Sequence, residues 1–159
     1  NPLLGIDALA PLVATGAGVF VLVRTSNPGA RDVQDLELAE GGPLWQRLAR
    51  IVDDLGGPAG EEPADGGGLA DVGAVLGATE PGHLERAREL MPHAIFLLPG
   101  VGAQGGRVED LAPAFAPGRA GGLVSASRSI SDAYEADGGD PAERARVAAH
   151  RLRELAWSL

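Results

Sequence analysis

Apolar residues gather along this chain in four short, unbroken runs: Val19 to Val23, Val72 to Ala78, Ile95 to Leu98 and Leu123 to Ala126. Runs of this length with no polar alternation predict strands apolar on both faces, as in a parallel sheet covered by helices or closed into a barrel. Between the runs the period changes to that of a helix. Leu44, Trp45, Leu48, Ile51, Val52 and Leu55 fall on one helical face, with Arg47, Arg50 and Asp53 on the other. Leu84, Ala87 and Met91 form a second stripe opened by Pro81, and Val108, Leu111 and Phe115 suggest a short third helix. The last helix opens with Asp140 as N-cap, Pro141 in the first turn and Glu143 at the third position, and its predicted buried stripe is Ala148, Leu152, Leu155 and Ala156.

The order is therefore β-α repeated four times, a single α/β domain over residues 1–159. The glycine-, proline- and acid-rich stretch from Gly56 to Gly68 reads as a flexible helix-to-strand connection within it. Four such units are half of an eight-stranded barrel, and alone they leave two sheet edges unpaired. The opening Asn1-Pro2-Leu3-Leu4-Gly5 reads as a loop already leaving a strand, followed by a helix stripe of Ala8, Leu9, Leu12 and Val13. The expectation is the C-terminal half of a (β/α)8 TIM barrel.

Chemistry enters at the end of the third run. Ile95 to Leu98 leads into Pro99-Gly100-Val101-Gly102-Ala103-Gln104-Gly105-Gly106. Glycine permits positive φ and leaves room for backbone N–H groups to close on a phosphate. The fourth run ends in Ser127-Arg128, so consecutive strand ends offer glycines with Gln104 and then an arginine, a candidate phosphate cup. Residues 100–105 also match the dinucleotide fingerprint G-x-G-x-x-G letter for letter. That fingerprint needs an acidic residue at the end of the next strand, where Ser125-Ala126-Ser127-Arg128 has none. Glycines serving only a tight turn remain an alternative here, as does a surface salt bridge for Arg128.

Composition narrows the partners and the chemistry. A net charge of −9 argues against a nucleic-acid surface, and no apolar run reaches the ~18 residues of a membrane span. The chain lacks cysteine, which excludes thiol nucleophiles and thiolate metal sites, and His83, His93 and His150 sit in no metal-ligand motif. All 13 basic residues are arginine. Without lysine, a Schiff base, a Walker-type phosphate lysine and a lysine proton donor are impossible within this polypeptide. A soluble cytoplasmic protein is expected.

Five segments then carry a resemblance, in order along essentially the whole chain: Asn1-Pro2-x-x-Gly5, Val21 to Gly29 with Thr25-Ser26-Asn27-Pro28 at its centre, Gly77-Ala78-Thr79, Pro99 to Gly106, and Ser127-Arg128-Ser129-Ile130. Together they resemble orotidine 5′-phosphate decarboxylases, most of all the divergent bacterial class with the Thr-Ser-Asn-Pro loop. The resemblance implies a (β/α)8 barrel acting as a cytoplasmic homodimer, converting orotidine 5′-monophosphate to UMP and CO2 in pyrimidine biosynthesis with neither metal nor organic cofactor. It implies that Gln104, Arg128 and backbone amides near Ser127 hold the substrate phosphate, with the loop glycines Gly100, Gly102, Gly105 and Gly106. Ser26 would read the pyrimidine amide edge, while Pro99 and Val101 line the wall around the base. An ordinary loop-capping hydroxyl is the other reading of Ser26. The family's Asp-x-Lys-x-x-Asp array has no counterpart in a chain without lysine. The resemblance therefore places that array upstream of Asn1, gives this segment recognition without a catalytic residue, and predicts the isolated segment to be inactive. Another phosphate-binding barrel enzyme and a non-catalytic binding module stay open as alternatives.

Overall fold

The computed structural model describes residues 1–57, 68–116 and 118–159. Four strands form one sheet: β1 (Val19–Arg24), β2 (Val72–Leu76), β3 (Phe96–Leu98) and β4 (Gly122–Val124). They lie in the order β1-β2-β3-β4 and every pairing is parallel. Beyond the regular ladder the strand ends stay tied, since Gly77 N–H donates to Arg24 O, Ala78 N–H to Pro99 O and Ser125 N–H to Leu98 O. The predicted runs to Ala78 and Ala126 overreach the strands, which end at Leu76 and Val124, with Ala78 already in a turn. Most of the predicted connection from Gly56 to Gly68 lies outside the described residues.

Helices cover one face of this sheet. Helix α1 (Ile6–Val13) precedes β1, α2 (Leu44–Gly56) follows it, and α3 (Pro81–Leu90) follows β2. Trp45, Leu48, Ala49 and Val52 of α2 and Leu84 and Ala87 of α3 are buried with Met91 in one core with Val21, Val23, Val72, Ala74, Leu76, Phe96 and Leu98. The opposite face is apolar but bare. Leu22, Val75, Leu97 and Leu123 share one register row across all four strands, and its two ends, Leu22 and Leu123, are 37% and 49% exposed. Phe20, 42% exposed, lies over Gly73, where a Cβ would come within 2.7 Å of the Phe20 ring. The strands therefore have two apolar faces, as their composition predicts, and the described residues bury only one.

Several elements differ from expectation. Residues Val108–Phe115 wind as a 3-10 helix. Pro113 inside it lacks the N–H an α-helix would use and its ring crowds the preceding turn. After β4 come two single-turn helices, α4 (Arg128–Ser131) and α5 (Ala133–Asp137), before α6 (Pro141–Trp157). Asp140 caps α6 as predicted, its carboxylate accepting from Glu143 N–H at 2.9 Å. The predicted stripe of α6 is only partly covered: Ala148, Leu152 and Ala156 are half-buried and Leu155 is exposed. In α1, likewise, Leu9 is buried while Ala8 and Leu12 are open. Both helices flank the outer strands, where a four-stranded sheet offers little to pack against. Finally, β1 contains a bulge between Leu22, opposite Val75, and Arg24, opposite Leu76.

Candidate functional site

The ends of β1, β2 and β3 converge on Ser26. A Cβ on Gly77 would lie 2.6 Å from Ser26 Cα, and one on Gly100 would lie 2.8 Å from Ser26 Cβ. Only glycine at both positions lets the serine turn seat between the two neighbouring strand ends. Gly100 also has φ of +104°, which a side chain would strain. Seated there, Ser26 Oγ donates to Gln104 Oε1 at 2.5 Å, and Thr79 Oγ1 donates to Ser26 O at 3.4 Å. A cavity of about 500 Å³ opens beside this pair, lined by Ser26, Asn27, Arg31, Thr79, Glu80 and Gln104 among others.

The glycine loop is tied largely to itself. Gly102 N–H donates to Gly106 O, Gly105 N–H to Gly102 O and Gly106 N–H to Gly100 O. These three amides hold the turn, so glycine serves loop geometry here. Gly106 is excluded from carrying a side chain by Gly100 O and Ala78 O, which a Cβ would approach to 2.8 and 2.9 Å. Gln104 is left exposed at the crest. Pro99 is half-buried, its carbonyl accepting from Ala78 N–H. Val101 is buried in the core, and its accessible side faces a groove shared with Gly102, Ser129 and Ile130.

One strand further on, Ser127 caps α4 with its backbone, accepting from the N–H groups of Ile130 and Ser131. Arg128 begins that helix and is exposed, and no ion pair among the described residues includes it. A surface salt bridge therefore does not account for this arginine. The two segments of the predicted cup adjoin through Ser129, whose Cβ and Oγ would stand 3.2 Å from a Cβ on Gly102. The structure thus brings Ser26 and Gln104 into direct contact and sets Ser129, the neighbour of Arg128, against the same loop, with no hydrogen bond between Arg128 and Gln104.

Sequence reasoning missed the group beneath Ser26. Arg24, almost fully buried, donates from Nε and Nη2 to the two carboxylate oxygens of Asp35 at 3.1 and 2.9 Å, and from Nη1 to Thr25 O at 2.7 Å. The hydrogen bond from Arg24 holds the Asp35 carboxyl below its ordinary range, against the desolvation that raises it. Asp35 and Gln34 lie in an aperiodic loop, so no spacing could have marked them. Close by, the ring of His83 packs against Trp45 at 5.1 Å between centroids, with Nδ1 buried and unpartnered. Burial first, and then the Arg24 charge, push its pKa below the ordinary 6.5. A histidine buried neutral in this way contributes stability that is present above about pH 6.5 and lost as pH falls through its lowered folded value. His83 is therefore expected to titrate below 6.5 by NMR, and His83→Phe to flatten the part of the acid stability slope that begins there. A His83 titrating at or above 6.5 would refute this. Among the described residues no cluster of three or more His, Asp or Glu could hold a metal, and no helix is long and apolar enough to cross a membrane.

A parallel α/β sheet with glycine turns, a serine, a glutamine and an arginine at the carboxyl ends of consecutive strands defines the class as an α/β fold whose candidate site lies on the strand-end face, as in barrels and doubly wound sheets. No family model matches the chain. Its sequence is 45% identical over 158 residues to an orotidine 5′-phosphate decarboxylase of Deinococcus radiodurans, covering 97% of this chain and 53% of the relative. It is 48% identical over 138 residues to the enzyme of that name from Haloarcula marismortui, covering 85% of this chain and 45% of the relative. In three dimensions it superposes on the Leishmania donovani OMP decarboxylase with a TM-score of 0.67 at 27% identity, covering 98% of this chain and 55% of that one. This chain belongs to the orotidine 5′-phosphate decarboxylase family, and it spans about half the length of the curated relatives it matches.

Proposed function

We propose that the protein of which this segment forms part decarboxylates orotidine 5′-monophosphate to UMP and CO2, and that the segment is the C-terminal half of the barrel, the half that grips substrate. The sequence likeness to decarboxylases over 97% of the chain carries this reading. The geometry supports it: a hydroxyl and an amide meet at 2.5 Å on one side of the glycine loop, and an exposed arginine stands at the next strand end.

In this reading Ser26, able both to donate and to accept, meets the amide edge of the pyrimidine. Gln104 and Arg128 hold the phosphate, with amides near Ser127 assisting, and Pro99 and Val101 wall the base. The planar fork of arginine can bind two phosphate oxygens at once. When the C6–carboxylate bond breaks, its electron pair stays on C6 and must take up a proton. This chain has no lysine to supply it, so its contribution is binding energy. Grip on the remote phosphate holds the reacting base in a tight, desolvated site, where that energy lowers the barrier. The same reading has the whole enzyme working as a cytoplasmic homodimer.

Arg128→Ala in the complete enzyme is expected to cost about 3 kcal/mol in kcat/KM, or about 150-fold, the range of a charge-assisted contact. On orotidine lacking its phosphate, parent and variant are expected to perform alike. Unchanged kinetics on the phosphorylated substrate would overturn the assignment.

A further inference from the structure

Ser26 does not choose its own position; its neighbours are held on every side. The peptide entering the turn is fixed at its N–H, where Thr25 N donates to Gln34 Oε1 at 2.8 Å. It is fixed again at Thr25 O, the carbonyl of the peptide that leads into Ser26, which accepts from Arg24 Nη1 at 2.7 Å. The Thr25 hydroxyl is shared between Gln34 Nε2, which donates to it at 3.1 Å, and Asn27 Oδ1, to which it donates at 2.7 Å. Arg24 in turn is locked by its two-pronged contact with Asp35. Two adjacent residues of the loop following β1, Gln34 and Asp35, thus reach back nine and eleven positions to clamp Thr25 and Arg24, the two residues that precede Ser26. None of these groups hydrogen-bonds to Gln104, and the Ser26 hydroxyl, which donates to Gln104, keeps its lone pairs open toward the cavity.

We propose that Gln34, Asp35 and Arg24 form a positioning frame that sets the Ser26 hydroxyl for recognition of the substrate base. This rests on the reading that Ser26 contacts the pyrimidine. Two physical points favour positioning over stability alone. A half-buried ion pair such as Arg24–Asp35 is a poor source of stability, because desolvation of the arginine offsets much of the attraction. Its value lies in direction, since the paired guanidinium aims a third donor at a single carbonyl. A recognition hydroxyl, for its part, must be held to within about 0.5 Å to act, which demands a supporting shell of fixed hydrogen bonds.

The test is a double-mutant comparison in the complete enzyme. Gln34→Leu keeps the side chain's bulk but removes both bonds to Thr25. It is expected to lower kcat/KM about tenfold, with little change in thermal midpoint, by letting Ser26 drift. Gln34→Glu retains the acceptor for Thr25 N–H, though not the donor to the Thr25 hydroxyl, and is expected to restore part of the loss. In a Ser26→Ala background, Gln34→Leu is expected to cost less than about twofold, because the group it positions is gone. Asp35→Asn, which leaves the shape but weakens the hold on Arg24, is expected to follow the same pattern and serves if the leucine variant fails to fold. If Ser26→Ala lowers activity but Gln34→Leu and Asp35→Asn cost the same in both backgrounds, or cost nothing, the frame is overturned and the pyrimidine reading stands. If Ser26→Ala itself leaves kcat/KM unchanged, the pyrimidine reading falls and the frame falls with it.

Discussion

Residues 1–159 by themselves are expected to release no CO2 from orotidine 5′-monophosphate, and activity is expected to appear when the remainder of the barrel seen in the relatives is supplied, covalently or in trans. The first reason is chemical. A proton must reach C6 of the departing carbanion, and every cation fixed by sequence in this chain is an arginine, with a pKa above about 12 in water. Burial pulls Arg88 down to about 10, but Arg88 bonds to residues preceding β3 and β4, at the opposite end of the sheet from Ser26 and Gln104. Of the histidines, His83 is held against Trp45, His93 bonds to Gly68 O, and His150 sits on the exposed side of α6. The second reason is the bare apolar face, with Phe20, Leu22 and Leu123 open to water, which favours association over a well-behaved monomer. The measurement is substrate-dependent CO2 release by the purified chain, free of host enzyme, together with its mass in solution. A monodisperse monomer with activity above background would overturn both arguments.

Arg88→Met, similar in length and free of charge, is expected to cost about 3–5 kcal/mol of folding stability in the complete protein, and Arg88→Lys is expected not to rescue it. Arg88 Nη1 donates to the carbonyls of Met91, Pro92 and Ala94 at 3.0, 3.3 and 2.8 Å. Nη2 donates to those of Ala114 and Gly121 at 2.6 and 3.1 Å. The guanidinium also lies 3.8 Å over the ring of Phe96. One side chain thus stitches the end of α3 to the entry of β3, the 3-10 helix and the entry of β4. Carbonyls buried there would lose their donor together, and the loss of a partner from a buried polar group is far more costly than the net value of the bond. Lysine, a point charge without a planar fork, can neither span five acceptors nor stack on the phenylalanine. A thermal midpoint within a few degrees of the parent for either variant would contradict this account.

The strands could be read directly because runs such as Val19–Val23 and Val72–Ala78 have no helical period and too few polar residues for an exposed surface, although the second overran its strand by two residues. Helix α2 was as plain, its stripe from Leu44 to Leu55 lying on one face. The sites at Ser26 and Gln104 stood out because glycines cluster around them, although Gly77, essential for seating Ser26, was noticed only through the family pattern. Arg88 escaped attention even though its position carried a signal. It follows Leu84 by four residues and Ala87 by one, and so lies on the buried face of α3, where a charge needs an explanation. Pro113 likewise announced that the third helix would not be regular. Gln34 and Asp35 could not have been found, because they act across a loop whose course depends on the folded sheet. The backbone amides of the glycine loop, expected to face a ligand, are in good part spent on the turn itself, a balance that only coordinates display.

The bulge in β1 has a consequence for anyone who would transplant this strand. Side chains on a regular strand alternate, so the residue after Val23 would be due on the bare side with Phe20 and Leu22. The extra residue between Leu22 and Arg24 resets that phase, and Arg24 emerges on the helix-covered side beside Val23, where Asp35 awaits it. The chain leaves β1 out of step with its own beginning. A β1 borrowed from another barrel could match every apolar position through Leu22 and still deliver the Thr25-Ser26-Asn27 turn rotated to the wrong side, so the strand and the turn it feeds are inherited as one unit.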